Sequence, residues 1–223
     1  MGAIRVGAQK ASSAAARERL GNAAGKRIRR LRRAELPVDT VELARFLIGK
    51  VLVRELTQGR VAGRIVETEA YVVGDAAGHA YRGETPRNHS LFLERGHAYV
   101  YFIYGSWYCV NVSGERPGVG AGVLLRALEP LEGIETMQRL RGTQRELDLA
   151  RGPGRLAQAL GIDRREDGVD LCKPGPLWLG ALPAIDIPIG KSVRIGLTRE
   201  AHRLLRFYAR GSPFVSGPKR LST

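Results

Sequence analysis

Acidic residues, sulfur and histidine are scarce in this chain, and each scarcity narrows what the protein can do. Against 36 Lys and Arg there are only 22 Asp and Glu in 223 residues, a formal net charge of +14. A basic excess this large favours a polyanion as partner. Nucleic acid comes before anionic lipid, because no amphipathic helix with bulky aromatics on one side supports the lipid. The two cysteines, Cys109 and Cys172, have no metal-ligand spacing, and neither is placed like a nucleophile. A reducing compartment leaves both as thiols. The four histidines, His79, His89, His97 and His202, include no pair at helical spacing, which argues against a catalytic metal. No apolar run approaches the length that spans a bilayer, and nothing resembling a secretory signal opens the chain. A soluble protein in the cytoplasm, beside the nucleoid if bacterial, is the expectation. P-loop, dinucleotide fingerprint, zinc deaminase signature and nucleophile elbow are all missing. Chemistry must therefore come from carboxylates and polar side chains.

What is present divides into a basic arm and one folded domain. Residues 1–36 are rich in Ala, Gly, Ser, Arg and Lys, carry the run Lys26-Arg-Ile-Arg-Arg-Leu-Arg-Arg33, and contain no aromatic residue. Such composition buries too little apolar area to order itself, which predicts a disordered arm; a tag or a mis-set start is the other reading. Residues 37–223 are long enough for one domain with a sizeable core. Asp39 followed by Glu42 marks a capping box, and the apolar residues from Val41 to Ile48 predict a helix that stops at Gly49. Strands are expected at 51–56, 61–71, 177–179, 193–197 and 205–209, with Pro130 opening a helix that runs to about Leu140. Gly152-Pro-Gly-Arg155 precedes a short helix.

Within the strand over 61–71, Gly63-Arg-Ile-Val-Glu-Thr-Glu-Ala-Tyr71 sets two carboxylates and a phenol at alternate positions. Alternate side chains share a face of a strand, so Glu67, Glu69 and Tyr71 point the same way, roughly 6 to 7 Å apart. Two like charges this close raise one pKa, as suits a carboxylate that handles a proton near neutrality. A solvated strand face is the plain alternative, and between Glu67 and Glu69 the residues themselves do not choose. The loop over 74–88 supplies His79, Arg82, Arg87 and Asn88. Ala98 to Val112 forms two strands about a turn near Gly105-Ser106. A two-residue turn puts Tyr101 and Asn111 on opposite faces. A three-residue turn pairs Tyr101 with Cys109 and gathers Tyr99, Tyr101 and Asn111 on one wall. In either case Tyr104 stands at the tip. Arg126, inside the apolar stretch Val123-Leu-Leu-Arg-Ala-Leu128, needs a carboxylate or phosphate partner.

Five stretches together resemble the 3-methyladenine (alkyladenine) DNA glycosylases: Gly63 to Tyr71, Thr85-Pro-Arg-Asn88, Tyr99-Val-Tyr-Phe-Ile-Tyr-Gly105, Leu124-Leu-Arg-Ala-Leu-Glu-Pro-Leu-Glu-Gly133 and Leu205-Arg-Phe-Tyr-Ala-Arg-Gly-Ser-Pro213. The likeness runs from about Leu43 to Ser216. It implies an α+β fold: a single domain with a curved, mostly antiparallel, open-barrel-like sheet, surrounding helices and a protruding β-hairpin. It also implies action on damaged duplex DNA without metal or redox cofactor, and because one enzyme must read one site along a duplex, a monomer is the expectation. By that resemblance Glu69 is the base that activates water and Arg126 its partner. Tyr71, His79 and Tyr101 contact a flipped base, Asn111 hinders normal guanine, and Tyr104 fills the gap left in the duplex. Trp107 stands where a smaller aromatic is usual, the loop reaching His79 is about one residue shorter, and the 114–122 loop is slightly longer. A DNA-kinking, lesion-binding protein without catalysis is the rival, and the intact pair of Glu69 and Arg126 speaks against it.

Overall fold

A computed structural model describes residues 28–222 except residue 104, and the fold is built outward from one long strand. After the helix α1 (Thr40–Leu47), β2 (Val51–Leu56) and β3 (Gly59–Tyr71) form a hairpin. The α1 start is the expected one: Asp39 has extended backbone and its side chain accepts the Glu42 N–H at 2.9 Å. Next come β4 (Ala98–Ile103), β5 (Trp107–Ser113), β6 (Gly122–Glu132), the helices α2 (Ile134–Arg141) and α3 (Pro153–Ala159), and β7 (Leu177–Ala181), β8 (Ile189–Ser192) and β9 (Arg206–Ala209). With the short β1 (Arg29–Arg30) they make a nine-stranded, mostly antiparallel sheet in the order β1-β7-β2-β3-β6-β5-β4, with β9 paired to β3 and β8. The class is α+β in a single domain.

Thirteen residues make β3 long enough to use different partners along its length. Its first half pairs with β2, its second half with β9, and β6 runs along the other edge. The register against β6 shifts on either side of Glu67. A bulge there re-aims side chains where a straight ladder would hold them in line. Thr68, between the two glutamates, points the other way and donates its hydroxyl to the Ala44 carbonyl of α1 at 2.9 Å. That bond, with Leu43, Ala44 and Leu47 in the apolar core beneath, fixes which face of β3 the carboxylates occupy.

Three expectations from sequence need correction. The arm was bounded at residue 36, but residues 28–36 belong to the fold and residues 1–27 lie outside the described residues. Arg29 and Arg30 pair with Ala181 and Gly180 of β7, and the Leu31 N–H donates to the Leu179 carbonyl at 2.9 Å. Ile28, Leu31 and Leu36 are buried, and Arg33 reaches Asp170 at 2.6 Å. Composition judged this stretch by its own apolar content, whereas β7 and the core supply the surface that buries it. Second, Pro130 does not open a helix. It sits in β6 opposite Gly63, at a register shift where its missing N–H is tolerated, and the helix waits for Gly133. Gly133 has φ +73° and a side chain there would meet the Arg60 carbonyl at 2.5 Å, so the chain turns out of the sheet at a residue only glycine fills well. Third, the strand expected at 193–197 lies earlier, at Ile189–Ser192. Residues 193–197 leave the sheet because their backbone and one arginine serve the site described next.

Candidate active site

The β4–β5 hairpin settles the register. Ile103 pairs with Trp107, Tyr101 with Cys109 and Tyr99 with Asn111, so the turn has three residues and the pocket wall forms. Tyr104, within that turn, lies outside the described residues. Tyr101 and Tyr99 stack with ring centroids 5.3 Å apart, and His79 meets Tyr101 edge-on at 4.4 Å. The His79 ring also shares a 2.9 Å hydrogen bond with the Tyr99 hydroxyl. A side-chain amide, Asn88, organises the loop that carries His79. Its Nδ2 donates to the carbonyls of His79 and Gly83, and its Oδ1 accepts from the Thr85 N–H and hydroxyl. Burial, and then the nearby Arg87, lower the His79 pKa, so the ring is neutral at pH 7.

These side chains enclose a cavity of about 200 Å³ whose walls include Tyr71, His79, Tyr101, Asn111 and Arg126. Five of the seven residues singled out from the sequence therefore meet at one place. Asn111 is held by a 3.2 Å bond from its Nδ2 to the Tyr99 carbonyl. Burial drives the Tyr101 and Tyr71 phenols well above their usual range and Tyr99 up to about 12, so all three stay neutral donors.

Glu69, the sixth, stands directly behind the wall. It has no exposed surface, and the solvated strand face that sequence allowed is excluded. Its Oε1 accepts the Ile195 N–H at 2.8 Å and lies 3.3 Å from Arg126 Nη1, while Oε2 accepts the Tyr71 hydroxyl at 3.0 Å. All three partners line the cavity. Burial raises the Glu69 pKa, against the pull of Arg126, the Ile195 N–H and Tyr71, and the neighbouring Glu67 charge adds to the rise. Burial alone would lower the Arg126 pKa, but Glu69 and Glu67 together raise it. The pair is thus an elevated carboxylate beside a firmly charged guanidinium, the pattern of a group set up to take a proton.

Three residues of this site, Arg194, Ile195 and Arg206, were not singled out from sequence. Arg194 is fully buried, donates to Asp75 Oδ1 at 3.1 Å and to the Ala70 carbonyl at 3.0 Å, and lies 4.6 Å from the Tyr71 ring centroid. It covers one face of that ring and leaves the other for the cavity. By pinning the 193–197 segment it also aims the Ile195 N–H at Glu69. Arg206 is the third, bound to Glu67 at 2.7 Å. The signal was available: an arginine amid Val193, Ile195, Leu205 and Phe207 needs a buried partner for the same reason Arg126 does.

An α+β domain whose walled cavity backs onto a buried carboxylate–arginine pair suits the hydrolysis of a bond held inside the pocket, and comparison with known proteins gives the class. Residues 34–213 match the family model described as methylpurine-DNA glycosylase (MPG), so the chain belongs to that family and is a base-excision-repair hydrolase acting on N-glycosyl bonds. Among its relatives, a Mesorhizobium japonicum protein named "Putative 3-methyladenine DNA glycosylase" is 67% identical over 85% of this chain and 91% of its own length. The Homo sapiens protein named "DNA-3-methyladenine glycosylase" is 45% identical over 82% of this chain and 66% of its own length. Its Mus musculus counterpart is 44% identical over 82% of this chain and 60% of its own.

Proposed function

We propose that this protein is a monofunctional DNA glycosylase. It flips alkylated or deaminated purines, of the 3-methyladenine, ethenoadenine and hypoxanthine class, out of duplex DNA and hydrolyses the N-glycosidic bond, leaving an abasic site. The observation that carries this reading is the buried Glu69, bonded to Tyr71, Ile195 and Arg126 at the back of an aromatic-walled cavity. A base in a duplex hides its glycosidic bond, and unstacking it costs a few kcal/mol. The face of Tyr71 away from Arg194 offsets that cost, since stacking contributes about 1 to 3 kcal/mol per base, and His79 and Tyr101 complete the walls around the base. Tyr104 serves as the wedge that occupies the vacated position.

Water admitted beside Tyr71 and Arg126 stands one hydrogen bond from Glu69. The second lone pair of Oε2 takes its proton as the oxygen attacks the sugar carbon, and Arg126 stabilises the carboxylate before the transfer. An alkylated purine carrying positive charge leaves as the neutral base without an acid. Asn111, tethered to Tyr99 and lining the cavity, works against the exocyclic amine of undamaged guanine, the role the family resemblance gives it. The protein acts as a monomer, one copy to one lesion.

Base release from duplexes carrying a single 1,N6-ethenoadenine or hypoxanthine, and from methylated DNA that supplies 3-methyladenine, tests the reading. The expected result is abasic product from at least one of these with wild type and none with Glu69→Gln, while duplex binding persists. Tight binding with no release from any substrate would identify a lesion-binding protein instead.

A further inference from the structure

Glu67 shares its strand, its face and its burial with Glu69, yet it reaches the cavity wall through Arg126 and otherwise binds groups behind it. Oε1 accepts from Arg126 Nε at 2.9 Å and from Arg206 Nε at 2.7 Å, and Oε2 accepts the Ser216 N–H at 2.6 Å. Arg206, itself without exposed surface, spends its other nitrogens on the chain's last described residues and on β8. Nη1 donates to the Leu221 carbonyl at 2.7 Å and to the Ser192 hydroxyl at 2.8 Å, and Nη2 to the Ser216 carbonyl and the Ser222 hydroxyl, each at 3.0 Å. Arg151, which bridges to Ala127 beside Arg126, holds the Val215 carbonyl at 2.8 Å. The family match ends at residue 213, so Ser216, Leu221 and Ser222 lie beyond it.

We infer that Glu67, clamped by Arg206 and the segment 214–222, is a positioning residue that sets Arg126 against Glu69. This rests on the reading of Glu69 as the base. A guanidinium is planar and rigid, so fixing two of its nitrogens fixes the third. Arg126 Nε is set by Glu67 and Nη2 faces the Ser216 hydroxyl at 3.4 Å, which leaves Nη1 at 3.3 Å from Glu69 as the dependent contact. Charge agrees with geometry. Two carboxylates and two guanidiniums share the interior, so neither arginine needs solvent or DNA phosphate to be satisfied. The groups that face Glu69 are Glu67 and Tyr71 from β3, Arg126 from β6 and the Ile195 N–H after β8, with Arg194 behind Tyr71 and Arg206 behind Glu67.

The test is single-turnover base release across pH, beside duplex affinity, for wild type, Glu67→Gln, Glu67→Asp and Glu69→Gln. Glu67→Gln keeps an oxygen acceptor but loses the charge. It is expected to slow base release roughly 10- to 100-fold with affinity within about twofold of wild type. The acid limb of its rate profile is expected at higher pH, because an Arg126 no longer set against Glu69 holds that carboxyl down less, which outweighs the loss of the Glu67 charge. A limb moved to lower pH would mean that Arg126 kept its place and would overturn the inference. Glu67→Asp is expected to recover part of the rate. An unchanged rate and limb would overturn the inference, as would a slowing matched by an equal loss of affinity with the limb unmoved. Normal turnover by Glu69→Gln would remove the reading on which this rests, and the inference with it. Should Glu67→Gln not fold, Ser216→Ala removes only the hydroxyl facing Arg126. A slowing of roughly threefold is then expected, and no slowing refutes the clamp.

Discussion

Two carboxylates two residues apart on β3, equally buried, live in opposite kinds of surroundings. The region around Glu67 is closed: two arginine Nε groups and a backbone N–H occupy both its oxygens. The region around Glu69 is closed on one side only, and every group it touches also faces the cavity. Burial alone therefore does not assign a role to an acid. What separates the two is the charge of their partners. Glu67 has two guanidiniums on one oxygen, whereas Glu69 has one at 3.3 Å together with a neutral phenol and an amide. The first arrangement holds an ion pair in place, and the second leaves a proton affinity that the reaction can use.

The comparison breaks most completely at the residue common to both regions. Arg126→Met leaves Glu67 with Arg206 and strips buried Glu69 of the guanidinium beside it, and the loss of a buried partner costs about 3 to 5 kcal/mol. Thermal melting is expected to fall by roughly 10 °C and base release to disappear with it; a variant that melts like wild type would show that Arg206 alone holds the network. Next in size is Glu69→Gln, which removes the proton acceptor but retains the hydrogen-bonding shape. Loss of base release by about 10²- to 10⁴-fold with melting little changed is expected from single-turnover and melting measurements together. The pH profile sharpens the contrast further. Deprotonated Glu69 is the active form and burial raises its pKa, so the rate should climb with pH along a limb that lies above the usual glutamate value of about 4.3. A limb at or below that value would mean the Arg126 contact outweighs burial. Smallest is Tyr71→Phe, which keeps the ring and deletes the hydroxyl bonded to Oε2. The rate is expected to fall by roughly three- to tenfold and the limb to move to higher pH, since that hydrogen bond favours the charged carboxylate.

Much of this was legible in the sequence because it depends on local periodicity. Alternation put Glu67, Glu69 and Tyr71 on one face, the capping pattern at Asp39 gave α1, and the requirement for a partner anticipated the Arg126 contacts. The three-residue turn stood open against the two-residue one, since sequence names the turn residues but not the pairing. What stayed hidden was long-range. The Ile195 N–H reaches Glu69 across 126 positions, and Ser216 reaches Glu67 across 149. No spacing rule covers a backbone donor that leaves a sheet to serve a side chain. Pro130 misled for a related reason: its preference for a helix start is local, while its place at a register shift is set by Gly63 on another strand.

The seat of His79 has a consequence for the ageing of the protein. Asn88 is a spool for the loop, its amide donating to two carbonyls while its oxygen accepts twice. Deamidation would exchange the two donors for an acceptor-only carboxylate and set like charge against the His79 and Gly83 carbonyls. One hydrolytic lesion, adding almost nothing to the mass and lying outside the reacting centre, would thereby unseat an entire wall of the pocket. Asn88→Asp, which installs that carboxylate directly, would lose base release while the core around β3 remained intact.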